Sequence, residues 1–406
     1  MRREFFIQVS FLLLINLLIK PFYIFGIDRN IQNVVGTEDY GLFFAAFNFT
    51  YLFQIINDFG LQTYNNGQVA GSGRISPVHL ANIIRVKFLL GGLYLLVVFL
   101  AMWVLAYPSD QYRWILLIAG NHLLNSWVLF FRSNISGMGL YFRDSLLSVL
   151  DKLLLILICA FLLWFDFGQG PFRMYWLILA QGLSLLLAGM VAGIQVFRLS
   201  GNLTVPFDFS GIRRMLRESL PYALVVFLMT AYTRMDAVML ERMLPEGPRE
   251  SGIYASAFRL LDAVNMLGFL FAGLLLPMFS RLIAAGKSVE VLSRSAFRVL
   301  MAGALVLPVA VTAFREEIMR SLYTVGDAYG GEVLSALIWS FPFFCGSYIY
   351  GTLLTAGRHL RLMNLVFVVG LLINFLLNFI LIPSFQAAGA AWATALTQLA
   401  MFVAQY

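Results

Sequence analysis

Long uninterrupted apolar runs alternate with short polar segments along the whole chain. The runs are continuous and do not switch character residue by residue, which excludes a transmembrane β-barrel. A helix needs roughly 20 apolar residues to cross a hydrocarbon core about 30 Å thick. On that criterion the pattern predicts twelve spans, at 5–27, 41–60, 86–106, 114–136, 146–165, 174–197, 220–240, 252–279, 296–314, 333–356, 362–382 and 387–406. A bilayer forces backbone polar groups to be satisfied within the spanning segment. The expected fold class is therefore an all-α polytopic membrane protein.

Composition sharpens this reading. Of the 406 residues, 60% are hydrophobic and only 12% charged, with a mean hydropathy of +0.82. Soluble domains run about 45–50% apolar and about 25% charged. A soluble enzyme, a disordered chain and a fibrous protein are all excluded. The net charge of +7 takes its meaning from its distribution: segments on the N-terminal side, together with the adjoining ends of the spans, hold 18 basic residues, and the opposite side holds 7. The positive-inside rule then places the N-terminus in the cytoplasm of a multi-pass protein. The first run follows Met1-Arg2-Arg3, but its length, the Lys20 within it and the lack of a small-residue cleavage site argue against a signal peptide. The final run stops at Tyr406 with no basic flank, from which a truncated C-terminus is expected. Cys159 and Cys345 lie in separate runs, so no disulfide framework is expected.

The connection at 199–219 holds Gly201, Pro206 and Gly211, then Ile212-Arg213-Arg214-Met215-Leu216-Arg217. That last stretch has the pattern of a short amphipathic helix in the headgroup region. It divides the chain into an N-terminal six-helix bundle at 1–198 and a C-terminal one at 220–406. A faint repeat agrees with this division. Gly41-Leu42-Phe43-Phe44-Ala45-Ala46-Phe47 opens the second span, and Gly252-Ile253-Tyr254-Ala255-Ser256-Ala257-Phe258 opens the eighth. Two equal halves of this kind are a transporter architecture, with substrate bound between them.

These segments carry a family resemblance. Glu38-Asp39-Tyr40-Gly41-Leu42-Phe43, Ile55-Ile56-Asn57-Asp58-Phe59-Gly60-Leu61 and the stretch Gly252 to Asp262 resemble bacterial polysaccharide flippases of the Wzx type. Asn374-Phe375-Leu376-Leu377-Asn378, then Ile382-Pro383 and Ala388-Gly389-Ala390-Ala391-Trp392-Ala393-Thr394, are similar to a signature of the same superfamily. That superfamily, termed MOP, also contains MATE exporters and lipid II flippases. The resemblance implies a V-shaped pair of six-helix bundles around a central cavity. It implies alternating access that flips undecaprenyl-pyrophosphate-linked oligosaccharide from the cytoplasmic to the periplasmic leaflet of the bacterial inner membrane. The product would serve O-antigen, capsule or exopolysaccharide synthesis, with contacts to polysaccharide assembly proteins.

Charges inside spans are expensive and face an interior or a water-filled cavity. Lys20, Arg234 and Arg259 fall about 20 Å from the cytoplasmic edge at 1.5 Å per residue. They are read as a cationic belt for the pyrophosphate, with Arg234 the leading candidate. Lys20 could instead snorkel to the interface, and Arg259 could pair with Asp262 one turn on. Asn121, Asn125 and Arg132 share a face of the fourth span and could bind sugar hydroxyls or bond between helices. Gly370, Asn374 and Asn378 form a similar line, read as close helix packing. Among the acids within spans, Asp58, Asp236 and Asp262 are the candidates for Na+ or H+ coupling, although Asp58 could simply cap a helix.

No enzyme signature appears. His79, His122 and His359 are dispersed without metal-ligand spacing, and no Walker A motif points to ATP as the direct driver. No catalytic residue, metal or resident cofactor is expected. The alternatives to a flippase are a cation-coupled exporter of small amphiphiles and, further off, a membrane glycosyltransferase or polymerase. The short outer segments leave little room for the external catalytic loops of the latter.

Overall fold

The computed structural model describes residues 14–165, 172–201, 209–324, 326–357 and 359–406, and among these there is no strand. Nine of the described helices are long and apolar enough to cross a membrane. The fold class is the one that the apolar runs predict.

Packing separates the chain into two compact units. The first comprises residues 1–27 and 49–227, the second residues 28–48 and 228–406. This line differs from the expected division into 1–198, 199–219 and 220–406: the end of the first span and the first part of the second pack with the C-terminal residues. Residues 202–208 of the expected linker lie outside the described residues.

The first span is helical from residue 14 and passes through a π-helical stretch, Tyr23–Asp28, into α1 (Arg29–Val35). It ends at Gly36, whose φ of 91° suits only glycine. It therefore runs past the expected limit at residue 27. The second span is discontinuous, formed by α2 (Thr37–Leu52), α3 (Gln54–Asp58) and α4 (Leu61–Ser72). Phe59 and Gly60 between α3 and α4 are both left-handed, with φ of 49° and 73°. Gly60 is required there for a second reason. A Cβ would lie 2.5 Å from the Ser219 carbonyl oxygen and 2.7 Å from the Ala223 nitrogen.

The first unit continues with α5 (Pro77–Val104), α6 (Tyr112–Gly137), α7 (Tyr141–Trp164) and α8 (Met174–Ser200). Ser76 caps α5, its hydroxyl accepting from the His79 N–H, with Pro77 at the first helical position where no donor is needed. The core is built from α6 against α8, with Phe130, Phe131, Ile135, Leu147 and Val196 buried together. The helices start earlier than the apolar runs do. Lys87, Arg132 and Lys152, each inside an expected span, lie within membrane-length helices.

Helix α9 (Phe209–Met243) takes in the amphipathic segment at 212–217 and the seventh span without a break, with Pro221 inside it. The second unit then contains α10 (Gly247–Ala284), α11 (Glu290–Ala313), α12 (Arg315–Leu322), α13 (Ala328–Ile338), α14 (Ser340–Ala356) and α15 (Leu360–Gln405). Helix α15 holds both final spans, joined across non-helical Gln386. The second segment starts at a built cap. The Ala387 N–H donates to Glu250 Oε2 at 3.1 Å, and the Tyr329 hydroxyl donates to the same oxygen at 2.8 Å.

Within this unit α2 and α10 meet near their N-termini. A Cβ on Gly41 would fall 1.8 Å from the Pro248 carbonyl oxygen, and one on Gly252 would fall 2.0 Å from the Thr37 carbonyl oxygen. Gly41 and Gly252 open the two copies of the repeat, so the glycines allow two main chains to touch where a side chain could not fit.

Candidate functional site

Three polar clusters sit among the apolar helices. The first is an acid at the centre of the second unit. Asp236, on α9, is 1% exposed. Its Oδ1 accepts from the amides of Asn374 at 3.1 Å and Asn378 at 2.7 Å, both on α15. Its Oδ2 accepts from the Tyr254 hydroxyl of α10 at 2.7 Å and from the Thr394 hydroxyl of α15. Four donors from three helices converge on one carboxylate, which is how a buried charge is compensated. Asn378 Oδ1 remains without a hydrogen-bond partner inside this cluster. Asp236 is one of the expected coupling acids. The line of Asn374 and Asn378, expected to serve close packing, instead puts both amides on the acid. Gly370, one turn earlier, does pack closely, facing Met401.

The second cluster, also in the second unit, contains Arg259. Its Nε lies 2.8 Å from Asp28 Oδ2, while Asp262 is 4.0 Å from Nη1. The sequence alternative of an Arg259–Asp262 pair is thus the weaker contact, and the main partner is the last residue of the π-helical stretch, more than two hundred residues away. The Tyr40 hydroxyl donates to Asp28 Oδ2 at 2.6 Å, and Arg259 Nε also reaches that hydroxyl at 3.1 Å. Arg234 contacts Asn48 Oδ1 at 3.4 Å and lies over the Phe258 ring, and with Arg259 it acts electrostatically on Asp262. Arg234 and Asp236 therefore point into different surroundings, as their separation around the helix requires. Two arginines and two aspartates make this cluster internally balanced.

The third cluster is in the first unit. The charges acting on Lys20 are Arg132, Lys152 and Asp151. Arg132 is paired with Asp144 at 2.8 Å, and Lys152 with Asp151 at 3.5 Å. Lys20 has no ion pair among the described residues. Nearby, Asn16 donates to the Ser148 hydroxyl at 3.0 Å and the Lys152 ammonium lies over the Tyr23 ring. Lys20 and Arg132 thus share the first unit, and the two arginines of the expected belt belong to the second. The belt resolves into an open cationic group and a neutralised one.

Of the remaining candidates, Asn121 is buried and donates to the Ile178 carbonyl at 2.8 Å, an interhelical bond between α6 and α8. Asn125 is half-buried on the same helix. Asp58 faces Lys87 of α5 at 3.6 Å. Among the described residues no group of histidines, cysteines and acids could hold a metal ion, and both cysteines are free and buried.

Residues 8–283 match the family described as polysaccharide biosynthesis protein. No curated protein matches the sequence. Solved structures that resemble it include the lipid II flippase MurJ in an inward closed conformation. That match has a TM-score of 0.71 at 13% identity, covering 99% of this chain and 86% of the other. An inward-facing multidrug resistance MATE family transporter of the MOP superfamily gives a TM-score of 0.67 at 13% identity, covering 94% and 93%. A MOP superfamily transporter from Pyrococcus furiosus gives 0.66 at 14% identity, covering 99% and 94%. The chain belongs to the polysaccharide biosynthesis protein family and is built on the fold of the MOP-superfamily transporters.

Proposed function

We propose that this protein flips a lipid-linked oligosaccharide, carried on undecaprenyl pyrophosphate, across the bacterial inner membrane by alternating access. The N-terminus is cytoplasmic in this reading, and the glycan serves a cell-surface polysaccharide. The observation that carries it is Lys20 in the first unit, on which Arg132, Lys152 and Asp151 of membrane-length helices act and which has no ion pair of its own among the described residues. In this group three cations face two acids, Asp144 and Asp151, and an excess cation in that setting is costly unless an anionic ligand completes it. Pyrophosphate, with several acceptor oxygens, suits a group of lysine and arginine side chains. The family supports the glycan part of the assignment.

The driving ion in this reading is Na+ or H+ acting at Asp236, where the oxygens of Tyr254, Thr394 and Asn378 surround one buried carboxylate. The alternative of an exporter of cationic amphiphiles fits the fold equally, but it needs an unpaired acid where the first unit offers an unpaired lysine. The test is reconstitution into vesicles with a fluorescent undecaprenyl-pyrophosphate oligosaccharide. Flipping that depends on the chain, is lost with Lys20→Gln and is retained with Lys20→Arg would support the assignment. Transport of cationic dyes with no movement of the lipid-linked glycan would reject it.

A further inference from the structure

The start of α9 has two opposite faces. Ile212 and Met215 are buried in the core of the first unit with Leu61 and Phe130, and Ser219 is buried where its carbonyl meets Gly60. Arg213, Arg214 and Arg217 are exposed. At 3.6 residues per turn they occupy an arc of about 100° on the side away from the buried positions. None of the three has an ion pair among the described residues. The one acid between residues 210 and 220, Glu218, accepts from the Tyr64 hydroxyl of α4 at 3.0 Å. Three arginines against one glutamate leave this stretch at +2.

The exposed face changes character along the helix. Arg213, Arg217, Leu220 and Leu224 follow one another at i, i+4, i+7 and i+11, which is a single stripe of α9. Leu220 is 41% exposed and Leu224 is 40% exposed. The stripe therefore passes from cations to bare hydrocarbon. An anion dissolved in water would use the first half of the stripe and leave the second unexplained. A lipid monolayer matches both halves, with headgroups beside the arginines and acyl chains beside the leucines.

Depth agrees with this match. The apolar run of the span begins at residue 220, so the arginines lie about 5–10 Å beyond it at 1.5 Å per residue. A bilayer of about 40–45 Å around a core of about 30 Å leaves a headgroup layer of about 5–8 Å on each side. Guanidinium groups on long stems reach that layer. Their planar fork also suits phosphate oxygens. The side concerned is the one that the excess of basic residues assigns to the cytoplasm.

We propose that Arg213, Arg214 and Arg217 form a docking surface for anionic phospholipids of the cytoplasmic leaflet and select them over zwitterionic ones. A zwitterionic headgroup brings its own ammonium beside the phosphate and gains little from a cationic stretch, whereas a headgroup of net negative charge keeps the attraction. Because Ile212 and Met215 lock the same turns into the core, a bound headgroup fixes the depth at which this end of the first unit sits in the membrane. The inference rests on the membrane orientation of the proposed reading and not on its substrate.

The test places a reporter beside the surface and reads no transport, so its failure is separate from failure of the flippase assignment. The purified full chain carrying Leu220→Trp is reconstituted in phosphatidylcholine with rising fractions of acyl-brominated phosphatidylglycerol or, separately, acyl-brominated phosphatidylcholine. Quenching of the added tryptophan is taken against the parent chain. The expected result is a relative binding constant that favours phosphatidylglycerol by roughly fivefold for each arginine engaged and falls as salt screens the charges. The variant Arg213→Gln/Arg214→Gln/Arg217→Gln, changed only at exposed positions, should bring that constant near unity. Arg113→Gln, an exposed arginine in the first turn of α6, should leave it unchanged. Equal quenching by the two lipids, or a preference that survives the triple variant, overturns the proposal. So does loss of the preference to inorganic phosphate at constant ionic strength, which would mark a site for free phosphate.

Discussion

Gly41 and Gly252 hold each other's helices at main-chain contact: each would drive a Cβ into a carbonyl four residues before the other, Pro248 for Gly41 and Thr37 for Gly252. The relationship is reciprocal, as in an isologous interface between repeated elements. Gly41→Ala and Gly252→Ala should each force the helices apart, at about 1–3 kcal/mol. Thermal unfolding in detergent checks this, and the double variant should cost little more than either single change because one separation relieves both clashes.

Asp236→Asn should be more disruptive than its size suggests. It replaces one acceptor oxygen by an amide donor facing the Asn374 and Asn378 amides or the Tyr254 and Thr394 hydroxyls. Stranding buried donors costs about 1–3 kcal/mol each. A lowered midpoint together with loss of any stabilisation by added Na+ is the expected outcome. Stabilisation of the variant by Na+ equal to that of the native chain would remove Asp236 from coupling.

For Asp28 and Arg259 the double-mutant cycle is informative. Removing one partner of a buried pair costs about 3–5 kcal/mol because the other charge is left uncompensated. Asp28→Asn and Arg259→Gln should each destabilise strongly, and the double variant should recover part of the loss. Additive effects would show that the 2.8 Å contact carries no coupling.

Lys20→Gln should leave thermal stability within about 0.5 kcal/mol of the native chain, as expected for a side chain with no structural partner to strand. Binding of the lipid-linked anion should weaken by roughly tenfold, ~1.4 kcal/mol. Arg132→Gln should differ by losing stability as well, because it leaves Asp144 unpaired. Equilibrium binding of an undecaprenyl pyrophosphate separates the two variants.

Gly60→Ala should cost about 1–2 kcal/mol from its left-handed backbone alone. A further penalty arises from contact with the Ser219 carbonyl. A cysteine-free version of this variant measured by thermal unfolding would show the combined loss.

Much of the architecture was legible in one dimension. Apolar run length set the class and the approximate spans, because a hydrocarbon layer demands a minimum helical length whatever the partners are. The repeated Gly41 and Gly252 segments and the in-span position of Asp236 were visible as sequence features. The i, i+4 line of Asn374 and Asn378 was visible too, but not its purpose: the acid it serves lies on another helix, and helical periodicity says which residues share a face and not what that face meets. The same limit hid Asp28 as the partner of Arg259 and Lys87 as the partner of Asp58. Span counting gave three cations one depth, yet only tertiary packing could assign Lys20 to one unit and Arg234 and Arg259 to the other. Membrane insertion is decided by composition over about twenty residues, whereas a buried charge is decided by the few side chains that reach it in space.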